Sequence, residues 1–405
     1  MIAGQSWNDK ILRDLVNINY GKSPANILSS EGNYPVVGTG GIERLGKDFL
    51  YDGDSIILGR KGTIDRVFFI TGRFWTIDTA YYLSDFRETF PQWLFYFLQT
   101  IDLRQMNEAT GVPSLSRELL YKIKVKTPPT PEQEQIAEVL STIDRAIAQT
   151  EAIIAKQQRI KTGLMQDLLT KGIDEHGNIR SEATHEFKDS AIGRIPVEWE
   201  VEPCGSICKE IIVGIVIRPA QYYKLSGVPV LRSANVKENA IDFSALVYMS
   251  EKDNDSLRKS RLFAGDLVTV RTGYPGTTAV IPPVLDGCNC VDIVISRPDK
   301  RQIRSNWLAL WINSDFGKKQ VLEGQGGLAQ QHFNVGEVRK LLVKIPTIEE
   351  QSRIEKFLFI QNNSILKYQQ HLRKLYQAKT GLMQDLLTGK VRVTNLLKEK
   401  EPTSL

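Results

Sequence analysis

The decapeptide KTGLMQDLLT stands at residues 161–170 and again, letter for letter, at 379–388. Two identical runs 218 positions apart mark an internal duplication, and a duplication decides how the rest of a chain is parsed. At the same offset Pro128, Glu132, Gln133, Ile136, Leu140, Ile147 and Lys156 match Pro346, Glu350, Gln351, Ile354, Leu358, Ile365 and Lys374 without a gap. Further upstream the offset drifts slowly, as loop insertions make it drift. Trp93 and Leu94 match Trp307 and Leu308, Asp78 matches Asp292, and Asp54 and Arg60 match Asp266 and Arg271. Pro35 pairs with Pro229, and Trp7 with Trp199. The chain is one unit of about 195 residues written twice.

Each unit changes texture once. Residues 1–126 carry short apolar runs such as SIILG (55–59) and FFITG (68–72) between turn residues, which reads as strands with a few helices. TPPTPEQEQ (127–135) then opens a helix with proline and acidic residues in its first turn. Beyond it Ile136, Leu140, Ile147, Ile154, Leu164 and Leu168 recur at heptad spacing, interrupted by Thr150, Gln157 and Lys161 and ended by Gly172. The second copy places Ile354, Leu358, Ile365, Leu372, Leu382 and Leu386 likewise, with Gly389 following. Such a helix is about 58 Å long. Two copies in one chain are expected to pack their helices antiparallel about a pseudo-two-fold axis, because that makes one seam complementary to itself. The expected fold is α+β: two globular mixed α/β domains separated by two long antiparallel coiled-coil helices. The boundaries read as a head at 1–126, helix at 127–172, linker at 173–195, head at 196–343, helix at 344–393 and tail at 394–405.

The totals narrow the class. At 405 residues the chain exceeds one ordinary core. A net charge of +5, with both signs interspersed, does not by itself announce nucleic acid. The N-terminal MIAGQSWNDK lacks the pattern of a signal peptide, and no apolar run is long enough for a membrane span. Four cysteines are too sparse for a disulfide framework and fit a reducing cytoplasm. Cys204/Cys208 and Cys288/Cys290 lack zinc-ribbon spacing, and their counterparts Leu12, Val16, Phe74 and Thr76 are mostly apolar, so they read as small core residues. VVGTGGI (36–42) resembles a cofactor-binding glycine loop, but its counterpart VLRSANV (230–236) has no glycine, which makes the position a turn. The four histidines form no hydrolytic or metal motif, so no catalytic or metal site is expected.

What remains is a set of polar turns at equivalent places. GRKGTIDR (59–66) offers Arg60, Lys61, Thr63 and Arg66, while RTGYPGTT (271–278) offers Arg271, Thr272 and Tyr274. ATGVPSLSRE (109–118) adds Thr110, Ser114 and Ser116, and GQGGLAQQHFN (324–334) adds Gln325, Gln330 and Gln331. The turns at 36–42 and 230–236 contribute Thr39, Arg232 and Asn235. These side chains suit base edges and phosphates. Equivalent loops differ while the helices keep their start, seam and end, as an asymmetric two-part target requires.

The duplicated P…EQ..I…L helix start, the duplicated KTGLMQDLLT helix end, the GD…R.G hairpins and AIGRIPVEWEV (191–201) together resemble the specificity subunits of type I restriction-modification systems. The resemblance covers essentially the whole chain. It implies two target-recognition domains, each reading half of a bipartite site in double-stranded DNA, with the helices fixing an unread spacer. A turn of B-DNA is about 34 Å, so a helix pair of the length above suits successive major grooves. The resemblance further implies two DNA-methyltransferase (modification) subunits and two restriction/translocase subunits as partners in the cytoplasm. S-adenosylmethionine, ATP and Mg are expected in those partners, with no membrane involved. The first unit departs from the family in lacking a segment like IGRIPVEW. A stand-alone DNA-binding or architectural protein, or a coiled-coil scaffold that ignores DNA, remain the other readings.

Overall fold

The structure is a computed structural model that describes residues 6–324 and 333–398. It divides into two compact units, one made of Met1–Ile153 with Tyr368–Leu405 and the other of Ile154–Lys367. Both breaks fall inside the long helices, which run Thr130–Thr170 and Ile348–Leu387.

The first unit is built on a four-stranded antiparallel sheet in the order Asn17–Tyr20, Ala80–Ser84, Ser55–Gly59, Val67–Ile70. Ser55–Gly59 is buried along its whole length, as its continuous apolar run requires of an interior strand. A second sheet runs Gly41–Gly46, Tyr34–Gly38, Arg73–Thr76, Tyr51–Asp52, and its central pair is parallel, with Val36 opposite Trp75. The helix Pro91–Gln99 starts on proline and buries Trp93, Leu94 and Phe97. A ribbon of Asn8–Ile11 with Lys124–Thr127 closes the head beside the start of the long helix.

The second unit repeats that plan. Its main sheet runs Cys208–Val213, Ile293–Pro298, Leu267–Val270, Thr278–Val280. The second sheet again holds a parallel pair, Val230 opposite Asn289, one residue after the proline shared by both copies. Ser305–Asn313 takes the place of the first aromatic helix, and Glu200–Pro203 pairs with Leu342–Ile345 as the closing ribbon. Asp315–Gly324 is a further helix of this head.

Each unit contains the start of one long helix and the end of the other, packed antiparallel. In the first, the Tyr376 hydroxyl donates to Glu151 (2.6 Å), Lys379 pairs with Asp144 (2.7 Å) and Arg392 with Glu132 (2.6 Å). Stepping back along one helix is stepping forward along the other. In the second, Gln361 donates to Gln157 at 2.7 Å and Glu350 accepts from the Ile173 N–H at 2.9 Å. The seam residues Ile136, Leu140, Ile147, Ile154, Leu168, Ile354, Leu358, Ile365 and Leu386 are buried, while Leu164, Leu372 and Leu382 are half-buried. The outermost of them do more than face a partner helix. Ile136, Leu140 and Leu386 join Trp93, Leu94 and Leu12 in the core of the first head, and Leu168, Ile354 and Leu358 join Trp199, Trp307 and Ile207 in the second.

The duplicated Glu-Gln pair explains the helix starts. Glu132, fully buried, accepts from Trp7 Nε1 (3.1 Å) and from Arg392 Nε and Nη2 (2.6 and 2.7 Å). Glu350 accepts likewise from Trp199 Nε1 (3.0 Å) and Arg180 Nη1 (2.5 Å). Gln133 donates to the Pro128 carbonyl (2.8 Å) and accepts from the Phe90 N–H (2.7 Å); Gln351 does the same with Pro346 (2.9 Å) and Arg304 (2.8 Å). Phe90 and Arg304 are the residues that cap the aromatic helices, so one glutamine ties the long helix to its own head. Each arginine comes from just beyond the other helix, after a glycine held at positive φ, +64° at Gly172 and +74° at Gly389. A Cβ on Gly172 would lie 2.4 Å from the Trp199 ring, so the chain must reverse there without a side chain.

Candidate nucleic-acid interface

In the first head the two loops singled out in the sequence are knitted into one surface. Gly62 N–H donates to the Pro113 carbonyl and Leu115 N–H to the Arg60 carbonyl, both at 2.9 Å, and Lys61 bridges Ser114. Asn107 stiffens the second loop, its Oδ1 accepting from the N–H groups of Ala109 (3.1 Å) and Ser114 (2.9 Å). Lys61, Thr63, Arg66 and Thr110 are exposed on this surface, and Ser114 and Ser116 half-buried within it. Arg60 is held from two sides: it donates to the Asp78 carbonyl at 3.1 Å, and its guanidinium lies 5.0 Å from the Tyr20 ring centre. Arg117 lies 4.9 Å from the same ring. Thr39 stands on a separate turn, the tip of the hairpin formed by Tyr34–Gly38 and Gly41–Gly46. The glycine stretch is this hairpin, where two strands meet.

Sequence reasoning passed over Tyr20, Asp65, Arg104 and Asn107. Asp65 and Arg104 form an ion pair in a cleft of about 480 Å³ between the two loops, lined also by Thr63, Arg66 and Asn107. The Asp65 carboxyl is held below the ordinary carboxylate range, first by its own backbone N–H and then by Arg104. The missed signal was DLRQMN (102–107), a polar turn with no counterpart of similar sequence in the second copy.

The second head presents its loops differently. Arg271 sits at the position of Arg60, but its side chain is only 17% exposed and is paired with the Asp292 carboxylate. Thr272 is half-buried, and Tyr274 stands at the tip, 83% exposed. Arg232 donates to the Ala245 carbonyl at 2.7 Å. Asn235 does not offer its amide to a ligand. It is 2% exposed, accepting from Arg232 N–H (3.1 Å) and donating to the carbonyls of Asp242 (3.1 Å) and Ser244 (3.0 Å), so it shapes the loop from within. Gln325, Gln330 and Gln331 lie outside the described residues. A second exposed loop, with Ile217 and Leu225, was not anticipated.

The cysteines belong to the core. All four are buried; Cys204 and Cys208, their sulfurs 3.8 Å apart, pack with Trp199, and Cys288 and Cys290 pack with Leu262 and Ile293. Burial pushes the Cys288 thiol up to about 12. Among the described residues no helix is long and apolar enough to cross a membrane.

Residues 5–158 match the family model described as Type I restriction modification DNA specificity domain. The chain is 26% identical to the Type I restriction enzyme MjaVIII specificity subunit of Methanocaldococcus jannaschii, over 97% of this chain and 94% of that protein. It is 21% identical to the EcoBI specificity subunit of Escherichia coli, over 60% of this chain and 52% of that one. Its fold is similar to the crystal structure of the type I restriction-modification S subunit from M. genitalium, with a TM-score of 0.61 and 14% identity over 95% of this chain and 96% of that one. Residues 5–158 thus match a type I restriction-modification DNA specificity domain, and over nearly its whole length the chain is similar to a specificity subunit of such a system.

Proposed function

We propose that this chain selects DNA for a type I restriction-modification complex, each head reading one half of a bipartite asymmetric site and the helices setting the unread spacer. One observation carries the reading: two heads share a sheet order but present unlike loops, while the long helices keep the same Glu-Gln start, the same apolar seam positions and an identical ten-residue end. Duplicated framework with divergent surfaces is what two different half-sites require of one molecule. Its own part is addressing and assembly. Adenine methylation requires a base flipped from the stack into a pocket, and we assign that pocket and S-adenosylmethionine to two modification subunits docked on this chain. ATP and Mg belong with two restriction/translocase subunits in the complete assembly.

The test is co-expression with its modification subunits followed by mapping of methylated adenines. Methylation should fall in one interrupted, non-palindromic sequence, and DNA affinity should drop steeply between 50 and 200 mM salt, by about 10³-fold or more. A stand-alone DNA-binding protein would bind DNA yet leave every mixture of subunits unassembled and unmethylated. A scaffold would show no salt-dependent binding.

A further inference from the structure

We infer that Arg104 and Asp65 form the base-reading couple of the first head and that the base pair they take is G·C. This rests on the specificity reading above and assigns one contact within it.

The couple is built as a rigid reader. Arg104 lies on the single turn Leu103–Met106, whose Leu103 is buried in the head's core. The Asp102 carboxylate caps that turn by accepting from the Arg104 N–H at 3.2 Å. Asp65 follows Ile64, which is also buried in that core. Backbone anchors therefore fix both stems, while the Arg104 side chain remains 75% exposed at the cleft. A side chain so placed loses little freedom when it meets a ligand.

The choice of partner follows from charge. A free arginine suits a phosphate, but this guanidinium already shares its charge with a carboxylate, and a phosphate brought to it would be repelled by Asp65. The major-groove edge of a G·C pair has the complementary pattern, with acceptors at guanine O6 and N7 beside the donor amino group of cytosine. Arg104 supplies donors to the first two, and ionised Asp65 an acceptor for the third. An A·T pair sets an adenine amino donor where the guanidinium needs an acceptor.

The experiment uses the full chain assembled with its modification subunits, with methylation rates measured on duplexes carrying every single substitution of the mapped site. Arg104→Ala should relax discrimination at one G·C pair of one half-site by ~5- to 150-fold and leave the other positions unchanged. Arg104→Lys keeps the charge without the fork and should relax the same position, and Asp65→Asn should relax it in part. Thermal unfolding of each variant separates this from loss of fold, and the exposed Arg104→Lys change keeps the test open should the alanine variant not fold. A uniform fall across all sequences would make Arg104 a phosphate contact and overturn the assignment. Unchanged discrimination, or relaxation at an A·T pair, would overturn it equally. If the unaltered complex methylates without sequence preference, the specificity reading fails, and this assignment with it.

Discussion

At the scale of single residues, the buried charges show what the duplication preserves and what it lets go. Glu132 and Glu350 keep the same tryptophan and arginine partners, because a buried carboxylate stripped of its donors is costly. Lys344 is the opposite case. Its counterpart Lys126 is exposed, but Lys344 is 2% exposed, with one hydrogen bond to the Arg194 carbonyl (3.3 Å) and the rings of Phe316 and Trp311 at 5.6 and 6.0 Å. Desolvation brings its ammonium down to about 8 from the ordinary 10.5. The folded state thus holds this proton less well than the unfolded chain does. Stability is reduced by the full amount below pH 8 and is regained as pH rises from about 8 to 10.5. Lys344→Met fills the same volume without charge. After its lost ring and carbonyl contacts are deducted, it should stabilise the protein by about 1–2 kcal/mol at pH 7. Urea midpoints at pH 7 and pH 10 check this: the gain should shrink toward zero at the higher pH, and an equal gain at both would discount the desolvated ammonium.

At the scale of elements, identical sequence meets unlike surroundings. Lys379, from the second KTGLMQDLLT, pairs with Asp144 at 2.7 Å and lies 5.7 Å from the Tyr96 ring, whose hydroxyl donates to the same carboxylate at 2.8 Å. The residues equivalent to Tyr96 and Asp144 in the other copy are Leu310 and Asn362. Asp144→Ala therefore leaves a phenol and an ammonium without their acceptor, and should lower stability by about 1–2 kcal/mol, with Asn362→Ala costing under about half of that. Equal costs in chemical denaturation would mean that the triad contributes nothing. The helices, their caps and their seam were legible because heptad spacing and the Pro-to-Gly limits are local signals. The arginines that complete the helix ends were not. Arg392 stands three residues beyond Gly389, whereas Arg180 stands eight beyond Gly172, so no fixed offset relates them and only the folded chain reveals one role. Among the candidate loops, composition picked out two that lie side by side in the first head, but it also picked Asn235, which the fold buries. An asparagine that braces a loop from inside and one that meets DNA have the same letter and neighbours.

At the scale of the whole molecule, the exchange of helix ends makes each unit a joint product of both copies. The head beginning at Trp7 is completed by Leu386, Leu387, Arg392 and Val393 from the second copy, and the head containing Trp199 by Leu168, Leu169, Ile173 and Arg180 from the first. A fragment of residues 1–194 therefore carries both halves of one latch, Trp7 and Glu132 at the receiving side and Gly172 and Arg180 at the giving side, but within a single chain they stand at opposite ends of one helix. Two such fragments satisfy each other: Arg180 of each enters the site that Arg392 fills in the full chain, and the closed pair has two-fold symmetry. The expected result is a dimer by sedimentation equilibrium. Glu132→Gln and Arg180→Ala should each weaken it by more than about tenfold, since each leaves a buried partner unsatisfied twice per dimer. With modification subunits present, that dimer should methylate an interrupted palindrome built from the first head's half-site alone. A fragment that stays monomeric, or dimerises as tightly with both residues changed, would show that the paired helices hold without the Trp–Glu–Arg contact and that the latch is a bystander. A fragment that retains the full chain's asymmetric site would show instead that one head reads both halves.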